Sequence, residues 1–551
     1  MIKINMITYE KGMILQSGCY YLGNKPRYDF YPEDAAICDS NLLEMTTPYV
    51  YNGLRAAFWL DGLEDVTLDF NGAEIVLHDR IAPFVMTGCK NITVKNCAIR
   101  YERAFYSQMD VTETGDGYLK LRLNPKFPCR VENGYLYAKG SDWKNCLNRD
   151  TLLMTLFDAE TKAPAGAEII LSLIGEEIFP DPNPPMPIRH LRVDSDTDQR
   201  YIYLRGDIPA SWKFGTILAF SHEPRDKHGI AAVECCKITV DNVRLMNGAG
   251  MGFFGARTND IILKRFNMFT DELSEGVVSN NADGVHCIAC GGSVLMEDCI
   301  MEGMLDDGFN FHSQFCIVDS RNETGITVSG RGAAFPESAL LFASGDRIAF
   351  YRGTTYELIE EAVIVNALPA GYRKIFWTVD KPCGDVKPED IVENLTRQPD
   401  ITIKNCRFGK FRGTSRLQSR GRISVEGCKF YNNTEPALLL SGDATYWFES
   451  GPVQDLTVSN CGFFASGGAR INVDPDFSFT GQAQYYHKNI TVCGNRFNCP
   501  HVLNAVHADN ITASGNVYTH GSQGEDITGE TGLYVTLANC GARDIREAVE
   551  L

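Results

Sequence analysis

The chain of 551 residues has no apolar run approaching the ~18 residues of a membrane-spanning helix. Positive charge is in short supply. Lys+Arg 52 against Asp+Glu 70 gives a net charge of −18, which argues against a nucleic-acid or anionic-membrane partner. There is no glycine-rich phosphate loop and no Gly-x-Ser-x-Gly nucleophile elbow, so phosphoryl transfer and serine-hydrolase chemistry lack their usual signatures. Cys287-Ile-Ala-Cys290 is a lone Cys-x-x-Cys with no second pair or His pair at zinc-site spacing, so neither a metal nor a cofactor is implied. The opening stretch MIKINMITYEKGMILQSGCYYLG has one Lys and no apolar core of about 7–15 residues before a small-residue cleavage site. It does not read as a signal peptide, which points to the cytoplasm unless a leader has been removed.

What the chain does have is nineteen cysteines and an internal repeat. The pattern is apolar, Thr or similar, apolar, polar, Asn or Gly, Cys, any residue, large apolar. It reads ITVKNCAI at 92–99, ITVDNVRL at 238–245, IILKRFNM at 261–268 and VLMEDCIM at 294–301. It returns as ITIKNCRF at 401–408, ISVEGCKF at 423–430, LTVSNCGF at 456–463, ITVCGNRF at 490–497 and ITASGNVY at 511–518. Period-two alternation makes each copy a strand. The closest copies follow at 21–23 residues, the length of one coil of a parallel β-solenoid. Steps near 33 residues, such as 423 to 456, leave room for projecting loops.

The expected fold is therefore all-β: a right-handed parallel β-helix with two inserted small antiparallel β modules. Residues 66–102, 230–315 and 400–520 form the solenoid, with an N-terminal cap and first strands at 1–65 and a C-terminal cap at 521–551. The β-rich insertions span 103–229 and 316–399, flanking the segment that carries the chemistry and walling a groove into a pocket. Cys97, Cys299, Cys406, Cys428 and Cys461, then Asn495 and Asn516, hold the sixth position of the repeat. Such a column is a buried ladder, so the cysteines belong to the core and not to disulfides.

The chemistry sits in Asn281-Ala-Asp-Gly-Val-His-Cys287 and Leu305-Asp-Asp-Gly-Phe-Asn-Phe-His312. Asp283-Gly284 matches Asp307-Gly308 at a spacing of 24 residues, one coil, with Asp306 as an extra carboxylate. Turn chemistry explains one Asp-Gly, but not a duplicated pair at coil spacing with a third Asp beside it. Like charges set about 4.8 Å apart oppose each other's ionisation, an arrangement that suits an acid and a base in glycoside hydrolysis. Asp283, Asp306 and Asp307 are the catalytic candidates, with Asp306 expected to be the protonated one. His286, Asn310 and His312 follow on the same strands as candidate sugar ligands. Continuing the register adds Arg416 and Arg420, and then Glu435 in the column of Asp307.

Asn281-x-Asp283-Gly284 with Asp306-Asp307 resembles the paired motif of polygalacturonases, glycoside hydrolase family 28, but their Gly-His-Gly and Arg-x-Lys motifs are missing. The segments DGVHC, EDCIMEGMLDDGFNFHS and RLQSRGRISVEGCKF more closely resemble glycoside hydrolase family 110, exo-α-1,3-galactosidases that act on blood-group B and related glycans. That resemblance covers most of the chain from 50 to 520. It implies an inverting exo-α-galactosidase with Asp306 as general acid and Asp283 with Asp307 as the base pair. The partner implied is an oligosaccharide or glycan, with no nucleic acid and no membrane, and oligomeric state left open. A pectinase-like hydrolase, a lyase and a non-catalytic glycan-binding β-helix are the other readings. The lyase is disfavoured by the absence of a nearby Lys.

Overall fold

The structure is a computed structural model. It describes residues 6–8, 15–22, 25–140, 143–147, 153–169, 191–222, 224–270, 275–330, 338–371, 373–445, 447–464, 470–476, 485–498, 501–520, 525–526, 533–538, 540–541, 543–545 and 548–550. Each copy of the repeat is a strand, and the strands stack in parallel. The first residues of the nine copies, Ile92, Ile238, Ile261, Val294, Ile401, Ile423, Leu456, Ile490 and Ile511, pair in one continuous ladder. The protein is a parallel β-helix.

The fifth position of the repeat shows why Asn and Gly recur there. Asn96, Asn242, Asn405, Asn460, Gly427, Gly494 and Gly515 have φ between 54° and 66°, the left-handed region that these residue types enter at least cost. That kink turns the chain so that the sixth residue faces inward. The backbone N–H of Cys299 then donates to Cys406 Sγ, that of Cys406 to Cys428 Sγ and that of Cys428 to Cys461 Sγ, at 3.3–3.4 Å. Asn495 and Asn516 continue the ladder with amide oxygens at 2.9 and 3.0 Å. At the eighth position Phe408, Phe430, Phe463 and Phe497 stack with centroids 4.9–5.1 Å apart.

Among the described cysteines only Cys19, Cys236, Cys493 and Cys540 are partly exposed, and the others are buried. We expect a maleimide to label those four readily in the native protein and the remainder only after denaturation. Rapid modification of most thiols under native conditions would contradict the buried ladder.

The second wall carries the site. Its strands β1 (Ile230–Val233), β2 (Phe253–Ala256), β3 (Val285–Ile288), β4 (Phe309–Arg321), β5 (Ser415–Leu417) and β6 (Leu438–Leu440) pair in parallel in that order. Parallel pairing begins before residue 66. Gly18–Tyr21 and Arg27–Phe30 already lie against Glu64–Leu77. At the other end Leu533–Ala538 extends the ladder from His501–Val506, while much of 521–551 lies outside the described residues.

Between Tyr101 and β1 an antiparallel seven-stranded sheet projects from the helix, with a three-stranded sheet beside it. Its apolar face, including Ala104, Tyr106 and Phe127, packs on Val277, Val278 and Leu305, the segments that lead into the two Asp-Gly turns. The second projecting sheet has no clean start. β4 pairs with β3 at its first residues, then runs on unbroken to pair antiparallel with Ile326–Ser329 and Ile391–Asn394. The boundary read at 316 therefore falls inside one strand.

Candidate active site

In the wall ladder Val285 pairs with Phe309 and Phe309 with Ser415. Asp283 and Asp307 stand two residues before the paired positions, and the Gly284 N–H donates to Asp307 O at 2.9 Å. The two carboxylates thus occupy one column on adjacent coils. The glycines of the motif are spacing residues. A Cβ on Gly284 would lie 2.4 Å from Gly308 O, and one on Gly413 would lie 2.0 Å from Asp307 Oδ1. No side chain fits between these coils.

Each carboxylate has different company. Asp283 Oδ2 lies 2.5 Å from His286 Nδ1. Asp307 accepts the Thr414 N–H at 2.8 Å and Arg416 Nε–H at 3.0 Å. Asp306 sits between two guanidiniums, accepting from Arg225 Nη2 at 2.8 Å and from Arg412 Nη2. Burial would push Asp306 up, but the charges of Arg412 and Arg225 outweigh it and hold the carboxyl at about 2. Asp307 goes the other way. Burial, then repulsion from Asp283 and Asp306, overcomes the attraction of Arg416 and pushes it to about 7. The expectation that Asp306 is the protonated carboxyl is thereby corrected for the free protein: its two arginines favour the ionised form, whereas burial and like charge favour the protonated form of Asp307.

A raised carboxyl pKa stabilises the fold below the unfolded value, and that contribution disappears as pH rises through the folded value. For Asp307 the window runs from the ordinary 3.8 to about 7. Wild-type melting temperature should therefore fall relative to that of Asp307→Asn across this range. Parallel curves for the two proteins would show that Asp307 titrates normally.

His286 and His312, read as sugar ligands, bond instead to Asp283 and to each other. Their Nε2 atoms are 3.0 Å apart, and His312 Nδ1 lies 2.6 Å from Ser313 O. Asn310 pairs with His286 on one side and Arg416 on the other, and donates to Glu449 Oε1 at 3.0 Å. Arg416 is brought to Asp307. Arg420 is not brought to the aspartates: it is spent on the buried Glu393 at 2.6 Å and on Tyr351 at 2.7 Å, both on the second projecting sheet. Glu435 is also misplaced by the reading. The ladder puts Gly413 beside Asp307 and Pro436 beyond it, leaving Glu435 one residue out of column and exposed.

Four site residues escaped the sequence reading. Arg412 lies four residues before Arg416 in the same arginine-rich stretch, a spacing that could have flagged it. Glu449 comes from the loop in the 33-residue step between 423 and 456; there it accepts Gln418 Nε2 at 2.8 Å and faces His312 at 3.7 Å. Although burial pushes Glu449 up, His312, Arg416 and His286 bring it down to about 2. Arg225 ends the first insertion, and Tyr49, its ring 6.2 Å from that of His286, comes from the N-terminal segment. Neither belongs to a repeat that could locate it. Among the described residues no His, Cys and carboxylate cluster is arranged to hold a metal ion.

No family model matches the chain. Curated relatives do. A protein of Bacteroides thetaiotaomicron named α-1,3-galactosidase B is 27% identical over 500 residues, 86% of this chain and 76% of that one. One of Shewanella woodyi named α-1,3-galactosidase A is 23% identical over 86% of this chain and 75% of its own. Among solved structures, the A-module of a mannuronan C-5 epimerase from Azotobacter vinelandii overlays 97% of this chain and 88% of its own. At 9% identity and a TM-score of 0.37 that overlay adds nothing to the register given above. The names and coverage of these relatives support a likeness to glycoside hydrolase family 110, the α-1,3-galactosidases, along most of the chain.

Proposed function

We propose that the protein is an inverting exo-glycosidase that releases terminal α-1,3-linked galactose from oligosaccharides or glycoconjugates of the blood-group B type. The names of its relatives support the sugar and the linkage. The observation that carries the chemistry is a buried cluster of three carboxylates on adjacent coils, in which two arginines hold Asp306 low while burial and like charge raise Asp307 to about 7. In this reading Asp306 is the general acid and takes up the proton of Asp307 when substrate is bound. That proton passes to the glycosidic oxygen as the bond to the anomeric carbon breaks. Asp306 is the most exposed of the three, its side chain 21% accessible against 11% for Asp307 and 8% for Asp283, and it is the one that reaches the leaving group. Asp283, tied through Oδ2, turns its other oxygen to the attacking water.

The test is a panel of α-galactosyl disaccharides differing in linkage, with blood-group B trisaccharide and oligogalacturonides, followed by NMR of the first anomer released. β-Galactose released from the α-1,3-linked substrates is expected. α-Galactose as first product would overturn inversion, and cleavage confined to oligogalacturonides would make the protein a pectinase-like hydrolase. The pH profile gives a second check. Activity should fall as pH rises through about 7, where Asp307 loses its proton. A rate still climbing above that pH would exclude Asp307 as its store.

A further inference from the structure

Three gaps around His286 and His312 allow their protons to be counted. His312 Nδ1 lies 2.6 Å from the Ser313 carbonyl oxygen, which has only lone pairs to offer, so this nitrogen carries a hydrogen and donates it. His286 Nδ1 and Asp283 Oδ2 are 2.5 Å apart, and that gap holds one hydrogen. The facing Nε2 atoms are 3.0 Å apart. Two bare lone pairs would repel there and two N–H groups would collide, so this gap also holds one. Neutral imidazoles bring one hydrogen each, whereas three gaps need three. The unit of Asp283, His286 and His312 therefore holds one proton beyond an ionised aspartate and two neutral rings.

We infer that His286 is an imidazolium in the free protein, donating from Nδ1 to Asp283 and from Nε2 to His312, and that it acts as a positioning cation for Asp283. The address of the extra proton follows from the partners. On His286 it faces Asp283 at 2.5 Å; on His312 it would face only Glu449, at 3.7 Å. The surroundings agree. Burial lowers His286, but Asp283 and Glu449 outweigh it and raise it, while burial, His286 and Arg416 lower His312 to about 4 despite Glu449. The rings of Tyr49 and Phe254, 6.2 and 6.1 Å from that of His286, close the apolar side. His228, neutral at about 3 because of burial, adds no competing charge.

The consequence is a fixed base. With Oδ2 held by a cation that is itself held by His312, Asp283 has one orientation and presents Oδ1 to the water. His312 in turn has one tautomer, set by a backbone carbonyl. The catalytic half of this inference rests on the hydrolase reading; the charge state does not, since it belongs to the free protein.

Nitrogen-15 NMR of the full chain labelled at the histidine rings tests it, with rings assigned by their loss in His286→Gln and His312→Gln. At neutral pH the ring that assigns to His286 should be protonated on both nitrogens, and the ring that assigns to His312 should be an Nδ1–H tautomer. His312→Leu, with its melting curve recorded to show that it folds, should return His286 to a neutral ring. It should also lower kcat on an α-1,3-galactoside about 100-fold with little change in KM. His312→Gln keeps an amide oxygen to accept from His286 and should retain most of the turnover. A neutral His286 in the wild type, or a His286 spectrum unaltered by His312→Leu, would overturn the inference.

Discussion

Asp283→Asn should lower turnover on an α-1,3-galactoside by about 10³–10⁵-fold, the range seen when an essential carboxylate or its orienting partner is removed. Two losses coincide. The amide cannot take a proton from the attacking water, and the His286 imidazolium loses the anion at 2.5 Å that balances it. Substrate binding uses other groups, so KM should change little. Leaving-group chemistry separates the three aspartates. A nitrophenolate departs without a proton, so Asp306→Asn and Asp307→Asn should recover part of their activity on the nitrophenyl galactoside if that pair supplies the acid. Asp283→Asn should stay inactive on both substrates. Recovery of Asp283→Asn alone would reverse the acid and base assignments. A wild-type rate in all three variants would leave the glycan-binding reading standing.

Phe430→Ala should be the most damaging change outside the site, at about 3–5 kcal/mol. Its ring lies between Phe408 at 5.1 Å and Phe463 at 5.0 Å, with interplanar angles of 19° and 3°, and is fully buried. The backbone of a solenoid coil is pinned above and below by ladder hydrogen bonds, so the neighbouring rings have little freedom to close the void. Because coils stack only on their neighbours, the loss should appear in urea as a lowered first transition. A destabilisation under about 1 kcal/mol would mean that the coils collapse around the missing ring, contrary to the rigid stack.

The scaffold was legible because its physics is periodic. A residue type that recurs at one position, such as Cys at the sixth or Asn and Gly at the fifth, reports a constraint that each coil meets anew, and the ladder follows from the copies. The paired Asp283 and Asp307 were legible for the same reason. Glu435 and Arg420 were misjudged because the count of coils was carried across the second projecting sheet, where nothing in the pattern fixes the offset. The charge states were out of reach altogether. Arg225 and Arg412, which decide that Asp306 is ionised, come from an insertion end and a turn with no periodic position. Glu449 likewise reaches the site by folding a loop back against Ser313 and Gln314.

β4 changes partners without interruption, and this joins two things usually kept separable. Asn310 and His312 lie on its first half, while the second half founds the second projecting sheet. This sheet cannot swing like a gate without straining the strand that is hydrogen-bonded to β3. β4 also acts as a phasing device. A strand has a side-chain period of two, so one residue inserted or deleted between Phe309 and Phe315 would send either the site or the projecting sheet to the opposite face. The two halves of β4 can drift in composition independently, but not in length.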